Sequence, residues 1–152
     1  MALNVSLLLV RASGSVTATV EEMITDYLRR CKRAFPAASR TFRDESSLLQ
    51  AVAADRKAAG ACAFWIADLG GLSLTTEAFA ARMTQARDGG VRHLNLAVGP
   101  ANGWSAEARA AAELRISLGA MTLPHELAAL VLAEQIYRVS TILQGHPYHL
   151  GH

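Results

Sequence analysis

The stretch His93-Leu94-Asn95-Leu96-Ala97-Val98, followed by Gly99-Pro100-Ala101-Asn102-Gly103, reads as a short apolar strand running into a tight turn. Ser105 then starts an alanine-rich helical run, and Leu114 to Leu118 forms a second short strand. Two strands joined through a helix lie parallel, because only a long crossover returns the chain to the same edge of a sheet.

The same alternation extends outward in both directions. Upstream, Leu3 to Val10 is a strand-length apolar run ending near Gly14. Val20 to Lys32 carries Met23, Ile24, Tyr27 and Leu28 at the spacing of one helical face. Ala38 to Phe42 is a weaker strand, and Asp44-Glu45-Ser46-Ser47 is a helix start leading into Leu48, Leu49 and Val52. Ala61 to Ala67 is a third strand that ends at Asp68-Leu69-Gly70-Gly71. Thr75 or Thr76 caps a helix through Arg87, which stops at Gly89-Gly90. Downstream, Pro124 falls in the first turn of a last helix that reaches about Leu143. Gly145 ends that helix and leaves the tail His146-Pro147-Tyr148-His149.

The expected fold is therefore α/β: one domain over residues 1–152, with a parallel sheet covered by helices on both faces. Ligands of such sheets bind at the carboxyl ends of the strands. Here those ends are Ala67 to Gly71, Val98 to Gly103 and Leu118 to Pro124, all rich in glycine or small residues.

Composition agrees. Of 152 residues, 51% are hydrophobic and 18% charged, enough for a sizeable core. A net charge of +2 does not announce a nucleic-acid binder, so an RNA partner requires the cations to be gathered on one face. Cys31 and Cys62 fit neither a zinc spacing nor CxxC and read as reduced thiols, with a reactive Cys31 beside Arg29 and Arg30 as the lesser reading. No run has the length of a membrane span or the form of a signal peptide, and the expectation is a cytoplasmic protein.

Three segments carry candidate chemistry. The first, Val98 to Trp104, is neither GxGxxG nor a Walker loop, because Pro100 removes a donor and no Lys-Ser/Thr follows. Alone it reads first as a plain strand-to-helix turn. The second, Ser117 to His125, offers small and apolar residues for an adenine and a sulfonium, or is simply a loop before a helix. The third gathers Glu134, Tyr137, Arg138, His146, Tyr148 and His149 on the last helix and tail.

Gly119-Ala120-Met121-Thr122-Leu123-Pro124-His125, then Glu134-Gln135-Ile136-Tyr137-Arg138, then His146-Pro147-Tyr148-His149, together resemble the ribosomal RNA large subunit methyltransferase H family of the SPOUT class. Weaker similarity runs through Asp26 to Arg30, Asp68 to Gly71 and Thr75 to Met83. The resemblance implies a deep trefoil knot and a homodimer in which each site is completed by the other chain. It implies transfer of a methyl group from S-adenosylmethionine to N3 of a pseudouridine, in a hairpin loop of 23S rRNA on the assembled ribosome.

Carried onto this sequence, the cofactor residues are Ala67, Gly99, Gly103 and Leu118, Gly119, Ala120, Met121, Thr122, Leu123. Arg138, Tyr148 and His149 are the catalytic candidates: His149, with Tyr148 beside it, takes or relays the N3 proton, and Arg138 stabilises developing negative charge or a phosphate. The RNA-binding candidates are Arg11, Arg29, Arg30, Arg33 and His146, the arginines around residue 30 reading also as a solvated helix end. No metal is expected. The sequence departs from the family at Pro100, where a second glycine is usual, and at Leu72 and Leu150-Gly151-His152, where basic residues are usual. The alternative function is a knotted homodimer that binds RNA or ribosomes without catalysis.

Overall fold

A computed structural model describes residues 3–11 and 18–150. The expected strand end at Gly14 lies outside the described residues. The strands are β1 (Asn4–Val10), β2 (Ala37–Phe42), β3 (Cys62–Ser73), β4 (His93–Val98) and β5 (Leu114–Ser117). Between and after them run α1 (Ala18–Arg29), α2 (Glu45–Ala59), α3 (Thr76–Asp88), α4 (Ala106–Ala111) and α5 (His125–Leu143). The strands form a sheet of order β2-β1-β4-β3-β5, and every pairing is parallel.

Strand alternation splits the core into two layers. Leu7 and Leu9 of β1, Trp65 of β3 and Leu94, Leu96 and Val98 of β4 pack with α1, α3 and α5. Leu8 and Val10, Phe64 and Ile66, and Ala97 point to the other face, against Leu48 and Val52 of α2 and Ala108 of α4. The three central strands are mainly apolar on both faces for this reason, with Ser6 and Asn95 as buried polar exceptions. Helix starts follow the expected cap chemistry: Asp44, Thr75 and Ser105 each accept a backbone N–H three residues on. Gly145 follows α5 with φ +68°, which an L side chain would resist.

Boundaries differ from expectation in several places. α1 ends at Arg29 rather than Lys32, and the chain continues in turns to Phe35. Pro124 precedes α5 as its cap instead of lying in the first turn. The largest difference is β3, which does not stop at Asp68 to Gly71 but resumes pairing through Ser73. Ala67 and Leu72 both pair with Ile116, so residues 68–71 are extruded as a bulge. A Cβ at Gly71 would lie 2.6 Å from the Arg115 carbonyl carbon, so only glycine lets β3 cross β5 this closely.

Candidate functional site

The β3 bulge and the carboxyl ends of β4 and β5, with the start of α5, enclose a cleft of about 720 Å³. Eight of the nine cofactor candidates line it: Ala67, Gly99, Gly103, Leu118, Gly119, Met121, Thr122 and Leu123. Ala120 is exposed and lies outside the lining. Gly103 and Gly119 take φ of +87° and +135°, and a Cβ at either would meet nothing, so these glycines serve the turn rather than close packing.

Gly99 serves a different purpose. A Cβ there would fall 2.5 Å from the Trp104 ring. The indole lies flush under the turn, and its N–H donates to the Ala67 carbonyl at 2.7 Å, tying the ends of β3 and β4 together. The Pro100 carbonyl accepts the Gly103 N–H at 2.9 Å, closing the loop on itself.

The lining also contains residues that the sequence reading left unassigned. Asp68 accepts from Arg109 Nε at 3.0 Å and Arg115 Nη1 at 3.2 Å. Burial pushes its carboxyl upward, but the bonds and charge of the two guanidiniums win and hold it below the usual range. His125 forms part of the wall, and its buried Nε2 has no hydrogen-bond partner among the described residues. Asp68, Trp104 and His125 all fall in stretches that the sequence marks as candidate loops, but none carries a role there, and Arg109 and Arg115 have no sequence signal.

Arg138, Tyr148 and His149 are brought together, but away from the cleft of their own chain. Ala128 is the last α5 residue in the lining, and Arg138 lies ten residues further on, about 15 Å of helix rise. Glu134 is the hub of this cluster. It accepts from Arg138 Nη2 at 2.9 Å and from the Tyr148 hydroxyl at 2.8 Å. Burial raises the Glu134 carboxyl, yet these donors together lower it below the ordinary glutamate value. Burial, and then the adjoining Glu134 carboxylate, push the Tyr148 phenol up to about 12, so it remains protonated at neutral pH.

His149 Nδ1 lies 3.2 Å from Arg138 Nη1, and Nε2 lies 2.6 Å from Glu77 Oε1. A guanidinium only donates, so Nδ1 must accept and Nε2 carries the proton donated to Glu77. The bond from His149 lowers the Glu77 carboxyl in turn. Arg138 also lies 4.7 Å above the Tyr148 ring, and Tyr148 packs 4.9 Å from Tyr137. Glu134 belongs to the polar group that the sequence places on the last helix and tail, but without a role of its own, and Glu77 is not among the sequence candidates. Glu134 sits one turn before Arg138 at ion-pairing distance in sequence, which is a usable signal, whereas Glu77 had none.

The basic candidates divide. Arg11 pairs with Glu21 at 3.1 Å, and Arg29 with Asp26 at 2.7 Å. Arg30 stacks 4.3 Å over the Tyr137 ring and donates to its hydroxyl at 3.0 Å, adjoining the Glu134 cluster. Arg33 is exposed. His146 accepts the Tyr148 N–H at 3.2 Å and shapes the tail turn. Cys31 is fully buried, and burial pushes its thiol up to about 11 despite Arg30, which removes the reactive-thiol reading. Among the described residues no helix is long and apolar enough to cross a membrane, and no three metal-ligating side chains cluster.

A family described as "Predicted SPOUT methyltransferase" matches residues 5–149. The chain is 38% identical to the ribosomal RNA large subunit methyltransferase H of Koribacter versatilis, across 89% of this chain and 91% of that one. It is also 38% identical to the protein of that name from Mesorhizobium japonicum, across 92% and 96% of the two chains. A probable methylase family protein from Haemophilus influenzae has a similar fold, with TM-score 0.58 and 13% identity over 97% of this chain and 71% of that one. The matched span takes in every cleft loop and the tail with its Arg138–Tyr148–His149 cluster, and the chain belongs to the SPOUT methyltransferases and, among them, to the ribosomal RNA large subunit methyltransferase H family.

Proposed function

We propose that this protein is a cytoplasmic methyltransferase that uses S-adenosylmethionine to methylate N3 of a pseudouridine in a hairpin loop of 23S rRNA, within the large ribosomal subunit. The observation that carries this reading is the cleft between the β3 bulge and the ends of β4 and β5. Its volume of about 720 Å³ lies in the range that holds a nucleoside-sized ligand. Apart from Asp68, Arg109 and His125, its walls are mostly apolar or small residues, which suits an adenine and a sulfonium.

The chain acts as a homodimer in this proposal, with a deep trefoil knot formed where the 118–124 loop and α5 follow β5. Leu127, Val131 and Met121 are exposed large hydrophobics near the cleft, the kind of face a second copy covers. A twofold axis beside Val131 sets two α5 helices antiparallel. Arg138, seven residues on, then meets the second copy's cleft at its Pro124, seven residues back. The cluster of one subunit thereby completes the cleft of the other.

S-adenosylmethionine, when bound, supplies an electrophilic methyl group. The chain's own task is to align the base and manage the N3 proton. Leu118, Gly119, Met121, Thr122 and Leu123 hold the donor through backbone groups, and Ala67, Gly99 and Gly103 wall it in. Arg138 shifts its donors toward the negative charge that develops on the pyrimidine, which releases His149 Nδ1 to take the N3 proton. The imidazolium that results is held by Glu77, at 2.6 Å from Nε2. Tyr148, protonated and bonded to Glu134, orients the base by contact rather than serving as a base itself.

A second reading has one observation in its favour. The Gly103 N–H is consumed by the Pro100 carbonyl, and Pro100 has no N–H of its own, so the β4 loop offers fewer donors to a ligand. That favours an RNA-binding dimer without methyl transfer. Calorimetry with S-adenosylmethionine separates the two, and absence of binding at millimolar ligand supports the second. Mass-spectrometric mapping of 23S rRNA from a strain lacking the protein tests the first directly: loss of one methyl group from a hairpin-loop pseudouridine is expected, and unchanged modification refutes it.

A further inference from the structure

We propose that Arg109 and Arg115 grip a phosphodiester of the substrate RNA at the mouth of the cleft, with Asp68 fixing both guanidiniums in place. The inference rests on the RNA-directed reading above and extends it to residues that reading leaves unused.

The arrangement is built by the β3 bulge. Extrusion of residues 68–71 puts Asp68 where it reaches α4 and β5 at once. The Asp68 side chain is only 8% exposed, whereas those of Arg109 and Arg115 are 42% and 44% exposed. The carboxylate is therefore an anchor inside the wall, and the cations face outward. Two guanidiniums on one carboxylate leave a surplus positive charge. The neighbouring acid Glu113 does not neutralise it, because it accepts from Arg56 and from the Phe64 N–H. Arg109 bonds Asp68 through Nε and Arg115 through Nη1, and a guanidinium has five donors, so each retains a fork for an incoming oxyanion.

The placement selects the ligand. Arg109 lines the cleft, but Arg115 stands outside the lining on the edge strand. A ligand touching both lies across the mouth, outside the volume that a small donor occupies. A chain of phosphates running past the opening meets that requirement, and a donor carboxylate confined to the cleft does not.

Salt dependence reads the contact. Large ribosomal subunits are titrated with the intact protein over a potassium chloride series, for the wild type, Arg109→Gln, Arg115→Gln and Arg115→Lys. Each glutamine variant is expected to weaken binding and to lower the slope of log K against log salt by about 1, and the lysine variant to restore the slope. S-adenosylmethionine affinity by calorimetry stays within about twofold for Arg115→Gln, and thermal unfolding verifies that each variant folds. Unchanged slopes in both glutamine variants overturn the proposal. Loss of donor affinity in Arg109→Gln with the slope intact also overturns it, by assigning that cation to the donor. A wild type that fails to bind S-adenosylmethionine yet shows these slope changes refutes methyl transfer while supporting the phosphate contact.

Discussion

At Gly99, two readings of a glycine can be told apart. In a loop after a strand, glycine suggests backbone approach to a ligand, but here the vacant side-chain position is filled by Trp104. Gly99→Ala is expected to destabilise the fold by about 1–3 kcal/mol through overpacking and to shift tryptophan fluorescence, as the indole leaves the Ala67 carbonyl. Chemical denaturation measures the first effect. The polar cluster makes a second prediction. Glu134 titrates below the ordinary glutamate value in the folded chain, so the stability it adds is complete above that ordinary value and lost as pH falls through the folded one. Glu134→Gln should therefore flatten the acid limb of a stability–pH profile, and an unchanged limb would show that Glu134 contributes nothing to it. Glu134 was legible because an acid one turn before Arg138 forms a helix pair. Glu77 was not, since it meets His149 across 72 residues of sequence.

Elements whose local pattern agrees with their burial were readable from sequence alone. β1 and β4 are largely apolar, interrupted inside the strand only by Ser6 and Asn95, because both faces of the sheet are covered, and Asp44, Thr75 and Ser105 mark helix starts by their cap chemistry. β3 was misread at its end because Gly70 and Gly71 are local stop signals, whereas pairing with Ile116 and Ser117 of β5 carries the strand onward. That tertiary pairing cannot be inferred from a window of neighbours. The start of α3 joins this level to the site, since Thr75 caps the turn that presents Glu77 to His149. Thr75→Ala is expected to lower stability by about 1 kcal/mol in urea unfolding and to slow methyl transfer as well. Loss of stability without loss of rate would detach Glu77 from the chemistry.

For the molecule as a whole, the two halves of the candidate site were legible as separate motifs, the cleft loops and the tail. Their separation along α5 was not, because distance on a helix face matters only once the other face is known to be packed. With Arg138 about 15 Å of helix beyond the last α5 residue of the cleft, one chain does not unite the cleft with the Arg138–Tyr148–His149 cluster. The proposed dimer does. Mixed dimers test this most directly: one subunit carries Arg138→Ala and the other carries Gly119→Trp, which fills the cleft. Each variant alone should be inactive. Random re-pairing should recover about a quarter of wild-type methyl transfer, since half the dimers are mixed and each holds one intact cleft facing one intact cluster. If the mixture stays as inactive as its parents, both halves of the site belong to the same chain, and a site shared between subunits is ruled out.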